Sequence, residues 1–472
     1  MANPTLRVSK ELADIQKGSD LSLAVAVRER NVRNIRALII GPPETPYEFG
    51  FFEFKLHIPS DYPFKSPRVQ AITTNGGRTR FNPNIYAEGK VCLSILGTWR
   101  TENDGESWST AQGIESVLIS IQSLMSSNPY ENEPGYESYK VTEPEAANYA
   151  AKIRHETLRI SVIQRLESIL AISDPTLDPD ALSKTARQTS SKKVKYTLDD
   201  DDDGTPISDT SDIADRDESP DLHGSDDDDD EFDPFKDLFK HRFLWYYDPY
   251  LAAIERASNS VKDSQKFIMA PFEFGSNTMD GRFHYDKLKA RIERIRNALD
   301  AETASWAEHS KLTREKHNSI SHRLQRTFEQ TREWYKTHSA TNIELSLVDK
   351  NPFVWALTLI GRNNTDLAGG AINIRINFSL RFPDEQPRVK VTTKLFHHRI
   401  NSIGVLCYRP EKPEDIKSHI EGVITAIEDE NPAYDPRTLV NPDAAALRWD
   451  GEDGLKKYRR RLRRSVEDSW ES

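Results

Sequence analysis

Two stretches of this chain, several hundred residues apart, share residues at a nearly constant offset. Prolines and glycines recur 320 positions apart, the two cysteines 315 apart, and apolar positions beyond them 306 apart. Such self-similarity predicts two copies of one domain, with two short deletions in the second copy. The matched pairs are Thr45 and Thr365, Gly50 and Gly370, Pro63 and Pro383, Pro67 and Pro387, Cys92 and Cys407, Ile114 and Ile420, Val117 and Val423, and Ile121 and Ile427.

Each copy has the pattern of several strands followed by helices. Apolar residues alternate through 21–27 and 52–58 in the first copy, and through 353–359 and 372–380 in the second. Apolar residues with helical spacing follow in both copies. Short loops between successive strands favour an antiparallel meander covered by helices. We therefore predict an α+β fold in which a four-stranded antiparallel meander with flanking helices occurs twice.

Acidic residues are concentrated between the two copies. Seventeen lie between residues 199 and 231, which include two runs of five aspartates and almost no aliphatic side chain. Self-repulsion and the lack of apolar surface predict a disordered, solvated linker, the alternative being a docking tail. We place a first domain at 1–172, the acidic linker at 173–232, a helical extension at 233–304 and a second domain at 305–472.

Cysteine content and hydropathy exclude several classes of protein. Two cysteines cannot form a disulfide framework, and no C-x-x-C pair or other ligand spacing suggests a metal site. The first residues lack the apolar core of a signal peptide, and no apolar run approaches the ~20 residues of a membrane helix. These features predict a cytoplasmic or nuclear protein whose thiols stay reduced.

One group of motifs in the first copy keeps a specific order and spacing. It reads "GPPETPYEFGFFEFKLHIPSDYPFKSPRV", then "FNPN", then Val-Cys-Leu, then "SWSTAQGIESVLISIQSLM". This order resembles that of ubiquitin-conjugating enzymes. Within that family, "KVCLSILGTW", "NPYENEPGYE", "KIRHETLRISV", "FLWYYDPY" and "FHYDKLKARIERIR" are most similar to the long Z-type subgroup. The second, conjugating-type domain departs from that subgroup.

The resemblance implies an enzyme that accepts ubiquitin or a ubiquitin-like protein as a thioester on Cys92. An activating enzyme would supply the modifier, and a substrate lysine or a ligase would receive it. A thiolate suits this exchange because it is both a strong nucleophile and a good leaving group. The alternative for Cys92 is a small buried hydrophobe. The alternative for the chain is a non-catalytic adaptor that binds ubiquitin through two conjugating-type folds.

The expected partners are ubiquitin or a ubiquitin-like protein, an activating enzyme and a ubiquitin ligase. The resemblance implies that ATP is used by the activating enzyme, so no cofactor is expected here. We expect no membrane and no nucleic-acid partner.

The resemblance also implies roles for residues near Cys92. Asn84 would donate its amide to the oxyanion that forms when a lysine attacks, or stabilise its loop as a turn residue, or both. Asn82 stands where the family more often has His. The Z-type sequences resemble this one in having Asn at that position, and the residue is expected to be structural. Glu133 would position or deprotonate the lysine, the alternative being a solvated loop carboxylate.

Two loops of the first copy are implied to bind a ligase. Phe64 resembles the loop residue through which such enzymes dock ligases, and an exposed aromatic suits an interface anchor. The alternative is that Phe64 packs under the turn 63–67. Trp108 and Ser109 would belong to the second docking loop.

The second copy lacks two of these features. It has Arg399 at the position of Asn84, and the Trp-Ser docking loop falls in a deletion. We therefore predict that Cys407 is inactive and that the second domain binds rather than catalyses.

Overall fold

The computed structural model describes residues 4–18, 20–99, 107–173, 232–275, 278–314, 319–338 and 343–470. The described residues up to Leu170 and those from Phe235 onward belong to one compact unit. All but the two end residues of the predicted acidic linker lie outside the described residues, so its disorder stays a prediction. Within the described ranges, no helix is both long enough and apolar enough to span a membrane.

The first copy is a four-stranded antiparallel sheet packed against helices. Helix α1 (Pro4–Lys17) precedes strands β1 (Leu23–Arg28), β2 (Asn31–Ile40), β3 (Phe51–His57) and β4 (Arg68–Ala71), which pair in chain order. Helices α2 (Ile114–Ser123) and α3 (Pro144–Glu156) follow, and α3 continues through the wider turns of Thr157–Gln164 into α4 (Arg165–Ile169). The predicted core face of β3 is confirmed by the burial of Phe52, Phe54 and Leu56.

The described part of the extension between the copies contains three α-helices. They are α5 (Lys236–Trp245), α6 (Tyr247–Ser258) and α7 (Tyr285–Arg314). The boundary predicted between residues 304 and 305 lies inside α7, because that helix continues without a break to Arg314.

The second copy repeats the sheet. Helix α8 (Ser319–Thr337) precedes strands β5 (Ile343–Leu347), β6 (Val354–Ile360), β7 (Ala371–Asn377) and β8 (Arg388–Val391). Helices α9 (Ile416–Glu428), α10 (Pro442–Arg448) and α11 (Gly451–Glu467) complete the domain. The alternating residues Phe353, Trp355, Leu357 and Leu359 are fully or almost fully buried, as predicted.

Strand register follows the same offset as the sequence repeat. Ile39 pairs with Phe52 in the first sheet, and Leu359 pairs with Ile372 in the second, each 320 positions further on. The neighbouring strand pairs keep this offset as well. The predicted duplication of an antiparallel meander is therefore confirmed strand by strand.

Helices α5 and α6, which we call the wedge, pack between the two copies. On the first copy, Phe239 contacts Phe51 with ring centroids 4.9 Å apart, and Tyr246 stacks on Phe49 at 3.9 Å. On the second copy, the side chain of Asn401 donates to the carbonyl of Leu244 at 2.7 Å. The wedge therefore covers Phe51 at the start of the outer face of β3, which alternation alone would leave exposed to water.

Candidate active site

The loop between β4 and α2 folds back and brings Asn84 and Cys92 together. The N–H of Cys92 donates to the carbonyl of Asn84 at 2.9 Å. Gly89 makes the turn between them with a φ of 97°, and a Cβ there would lie 2.6 Å from the carbonyl oxygen of Ala71. Both the left-handed backbone and the close approach require glycine at this position. The fold of the loop thus fixes the distance between the amide and the thiol.

The side chain of Asn84 points at the backbone of the cysteine. Its amide nitrogen donates to the carbonyl of Cys92 at 2.9 Å, while its own N–H donates to the side-chain oxygen of Asn82 at 2.9 Å. An amide NH₂ carries two donor hydrogens, so one remains for a further acceptor. The position suits both roles predicted for Asn84, as loop anchor and as oxyanion donor.

Asn82 is fully buried and holds the loop against the core. Its amide nitrogen donates to the hydroxyl of Tyr47 at 3.0 Å and to the carbonyl of Leu124 at 2.8 Å. The hydroxyl of Tyr47 donates in turn to the carbonyl of Phe81 at 2.7 Å. These contacts make Asn82 a buried connection between its own loop, the loop that joins β2 to β3 and the end of α2.

The thiol of Cys92 lies in a mixed electrostatic environment. Burial raises its pKa, and Lys90 and Arg80 oppose that rise, while Glu88 adds to it. A thiol with a raised pKa is mostly protonated at neutral pH, and only the thiolate attacks a carbonyl carbon. The two nearby cations therefore favour the reactive form of Cys92.

Glu133 is paired with a buried arginine that the sequence analysis did not single out. The guanidinium of Arg80 donates to Oε2 of Glu133 at 3.2 Å, and the same nitrogen donates to the carbonyl of Pro83, next to Asn84. Burial raises the pKa of Glu133, and Arg80 opposes the rise. The pairing argues against the alternative of a freely solvated carboxylate.

No sequence signal separated Arg80 from its neighbour Arg78. Both arginines belong to the polar stretch "RTRF", yet Arg78 is exposed and Arg80 is only 4% exposed. The role of Arg80 is visible only in the folded chain, where the loop that carries Glu133, some fifty residues later, lies beside it.

The two predicted docking loops lie side by side. The indole N–H of Trp108 donates to the carbonyl of Pro63 at 2.8 Å, and Ser109 is held by a bond from its N–H to the side chain of Gln112 at 2.8 Å. Phe64, next to Pro63, is 75% exposed. Its exposure contradicts the alternative of packing under the turn and leaves its ring available to a partner.

The thiol of the second copy occupies the matching backbone position. The N–H of Cys407 donates to the carbonyl of Arg399 at 2.8 Å, as Cys92 does to Asn84. By exposed area the two cysteines are nearly alike, at 3% and 1%. They differ in pKa, because burial raises the pKa of Cys407 to about 12 against the opposing effect of the guanidinium groups of Arg399 and Arg242.

Arg242 belongs to α5, so the wedge lies near the thiol of the second copy. Neither copy offers a metal site in the described part of the chain, where no three His, Cys, Asp or Glu side chains cluster suitably.

Comparison with known families identifies the class of protein. The family model described as ubiquitin-conjugating enzyme matches residues 7–157 and again 323–441, together more than half of the chain. The chain therefore belongs to the ubiquitin-conjugating enzyme family. The second match coincides with the repeated sheet, which confirms the predicted second conjugating-type domain.

Individual relatives narrow the likeness. Ubiquitin-conjugating enzyme E2 Z of Xenopus tropicalis is 49% identical over 162 residues, which are 34% of this chain and 50% of that protein. The E2 Z proteins of Danio rerio (50% over 162 residues, 34% and 48%) and Homo sapiens (47% over 170 residues, 36% and 47%) are similar. The predicted likeness to the Z-type subgroup is thus confirmed. The chain spans about half the length of the curated relatives it matches.

Among solved structures, the E2 domain of a Toxoplasma gondii ubiquitin conjugating enzyme aligns with 33% of this chain and 97% of that chain. The sequence identity is 30% and the TM-score is 0.27.

Proposed function

We propose that this protein carries ubiquitin or a ubiquitin-like protein as a thioester on Cys92 and transfers it to a lysine or to a ligase. The observation that carries the proposal is the contact between the amide of Asn84 and the carbonyl of Cys92 in the copy that keeps both docking loops. The E2 Z relatives are named for ubiquitin conjugation, which supports this activity. The comparisons give no support to the adaptor alternative.

The first step is a thioester exchange with the activating enzyme. The thiolate of Cys92 attacks the carbonyl carbon of the modifier, which is bound to the activating enzyme's cysteine. The new C–S bond forms to Cys92, the old C–S bond breaks, and the activating enzyme's sulfur leaves as a thiolate. No net oxidation occurs, and the energy of the thioester is retained.

The second step transfers the modifier to an amine. The uncharged lysine nitrogen attacks the thioester carbon, the carbonyl oxygen becomes an oxyanion, and Asn84 donates its amide to that oxygen. A proton leaves the nitrogen for Glu133 or for water, the C–S bond breaks, and Cys92 leaves as a thiolate. An isopeptide bond to the substrate is the product.

The partners of this activity are an activating enzyme, the modifier and a ligase. The exposed ring of Phe64 beside the anchored Trp108 supports ligase docking at these two loops. We also propose a cytoplasmic or nuclear location, because both cysteines of the chain are free thiols.

We propose that the first domain, 1–172, is the catalytic one and that the second is not. The supporting observation is that Cys407 is buried near the wedge residue Arg242 and that burial strongly disfavours its thiolate. The second domain lacks both the amide of Asn84 and the Trp-Ser loop. The second domain therefore has a binding role, and one segment that it binds is the wedge of its own chain.

Charging assays test the activity. The full chain is mixed with an activating enzyme, ATP and ubiquitin, and the product is run with and without reductant. We expect a reductant-sensitive adduct that Cys92→Ser abolishes and that Cys407→Ser, the matched control, leaves unchanged. If no activating enzyme and no ubiquitin-like modifier forms such an adduct, the proposal is wrong.

A further inference from the structure

One buried arginine connects the predicted oxyanion donor with the predicted lysine-positioning carboxylate. Arg80 donates to the carbonyl of Pro83, the residue before Asn84, and to Oε2 of Glu133 at 3.2 Å. Pro83 and Glu133 lie fifty residues apart in the chain. A single guanidinium therefore bridges the Asn84 loop and the Glu133 carboxylate.

Aromatic rings lie near the guanidinium of Arg80 and help to hold it in place. Its central carbon lies 4.4 Å from the ring centroid of Tyr86 and 5.9 Å from that of Phe272, which belongs to the extension. Planar stacking and bifurcated donation are properties of arginine that lysine does not share. The orientation of Arg80 is thus set by both the first copy and the extension.

We propose that Arg80 is a positioning residue for the transfer step, holding Glu133 ionised and aligned with the Asn84 loop while lysine attacks Cys92. The inference rests on the proposed function and adds a residue to it. Arg80 need not touch the substrate; it acts through Glu133 and through the carbonyl of Pro83.

The charged and titratable neighbours of Glu133 support this assignment. Glu133 interacts with Arg80, Tyr86 and Tyr149. Lys152 lies over the ring of Tyr149, but it is already engaged in a buried ion pair with Glu273. Among the described residues, Arg80 is the cation that opposes the effect of burial on the Glu133 carboxylate.

The sign of the pH effect follows from these contacts. Burial raises the pKa of Glu133 and Arg80 lowers it, so removal of Arg80 raises it further. An ionised Glu133 is required to accept the lysine proton. The acidic limb of the discharge rate should therefore move to higher pH when Arg80 loses its charge.

The test is single-turnover discharge of charged full-length protein to free lysine, measured across pH. Arg80→Gln should charge more slowly, because Arg80 favours the Cys92 thiolate. Once charged, it should discharge about ten- to a hundredfold more slowly, the range expected for a misplaced catalytic group. Its acidic limb should shift upward. Arg78→Gln is the matched control, because it removes an exposed positive charge two residues away and should change neither rate nor profile.

A double-mutant cycle with Glu133→Gln separates positioning from mere stability. Most of the loss caused by Arg80→Gln should disappear when Glu133 is already replaced, because there is no carboxylate left to position. An equal loss in both backgrounds, with an unmoved pH profile, would overturn the proposal. An Arg80→Gln protein that discharges to lysine at the wild-type rate would overturn the proposal as well.

Two outcomes keep this inference distinct from the proposed function. If Arg80→Gln is not charged, Arg80→Lys carries the same cycle, since it keeps the positive charge but cannot reproduce the two-partner geometry. The loss of discharge rate caused by Arg80→Lys is then compared in the presence and absence of Glu133→Gln. The proposal again expects most of that loss to disappear in the double variant. Failure of the wild-type protein to charge would instead overturn the proposed function.

Discussion

At the scale of single residues, the two copies differ in what they place across the loop from each cysteine. The first presents the neutral amide of Asn84, which bonds to the carbonyl of Cys92. The second presents Arg399, whose buried Nε has no hydrogen-bond partner among the residues that the structure describes. A neutral donor with a free hydrogen suits a transient oxyanion, whereas a partly buried cation beside a protonated thiol has no such task in this geometry.

Asn84→Ala should separate the two steps of the reaction. Charging of Cys92 should persist, because thioester exchange needs the thiol and a docked activating enzyme. Discharge to lysine should slow by a factor on the order of 10²–10³, about 3–4 kcal/mol, if the amide stabilises the oxyanion. Rates of adduct formation and single-turnover discharge measure the two effects.

The control for this substitution is Asn34→Ala, which removes an exposed amide whose side-chain oxygen contacts the ring of His57 in the first sheet. An Asn84→Ala protein that discharges as fast as this control would leave Asn84 with a loop-anchoring role alone.

The two thiols should also differ in reactivity toward an alkylating agent. Because burial raises the pKa of Cys407 to about 12, almost none of it is thiolate at mild alkaline pH. Iodoacetamide should modify Cys92 with a rate that rises with pH, while Cys407 should react only in unfolded protein. Mass spectrometry of peptides from native and denatured samples distinguishes them, and equal labelling in the native state would contradict the assignment.

At the scale of secondary-structure elements, much of the fold was predictable from sequence. Alternation in β3 and β6 identified the core faces because each strand has one face on a local core. Alternation could not predict the burial of Phe51, since its partner Phe239 belongs to a helix 188 positions later. The proximity of Arg242 to Cys407 and the pairing of Arg80 with Glu133 escaped prediction for the same reason: both depend on residues far apart in the chain.

The wedge should contribute strongly to stability through Phe239. That ring is fully buried against Phe51 and lies 4.8 Å from the guanidinium carbon of Arg165. Phe239→Ala should lower the free energy of unfolding by about 3–5 kcal/mol, as other large-to-small substitutions in cores do. Urea titration followed by fluorescence measures the change.

Phe274→Ala provides the comparison, because Phe274 lies in the same extension but is 73% exposed. Its effect should stay within about 0.5 kcal/mol. If both substitutions lowered the free energy of unfolding by similar amounts, the packing of Phe239 on Phe51 would not contribute specifically to the stability of the first domain.

At the scale of the whole molecule, the predicted domain boundaries do not coincide with the limits of the hydrophobic cores. The sequence repeat places the first domain at 1–172, but the core of the first copy includes residues from outside that range. Ala270, Phe272 and Met279 of the extension belong to its hydrophobic cluster. The first domain is therefore complete only together with the extension.

A chain cut after residue 172 should show this incompleteness. It would expose Phe49 and Phe51, which are now 3% and 1% exposed, together with the surface that covers Phe272. Apolar patches of that kind favour association. We expect the fragment to bind an apolar dye and to aggregate at concentrations where the full chain stays monomeric, as measured by light scattering.

The matching control is the same fragment with Phe49→Ser and Phe51→Ser, which should bind less dye. A fragment 1–172 that is monomeric and does not bind dye would show that the wedge adds little to the first domain.

The position of the wedge also has a consequence for protein synthesis. Strand β3 leaves the ribosome long before α5 is made, since β3 ends at His57 and α5 begins at Lys236. At elongation rates of about 5–20 residues per second, this interval lasts roughly ten seconds or more. During that time the nascent first copy can form its sheet but not cover it, so Phe49 and Phe51 are open to chaperones until the wedge emerges.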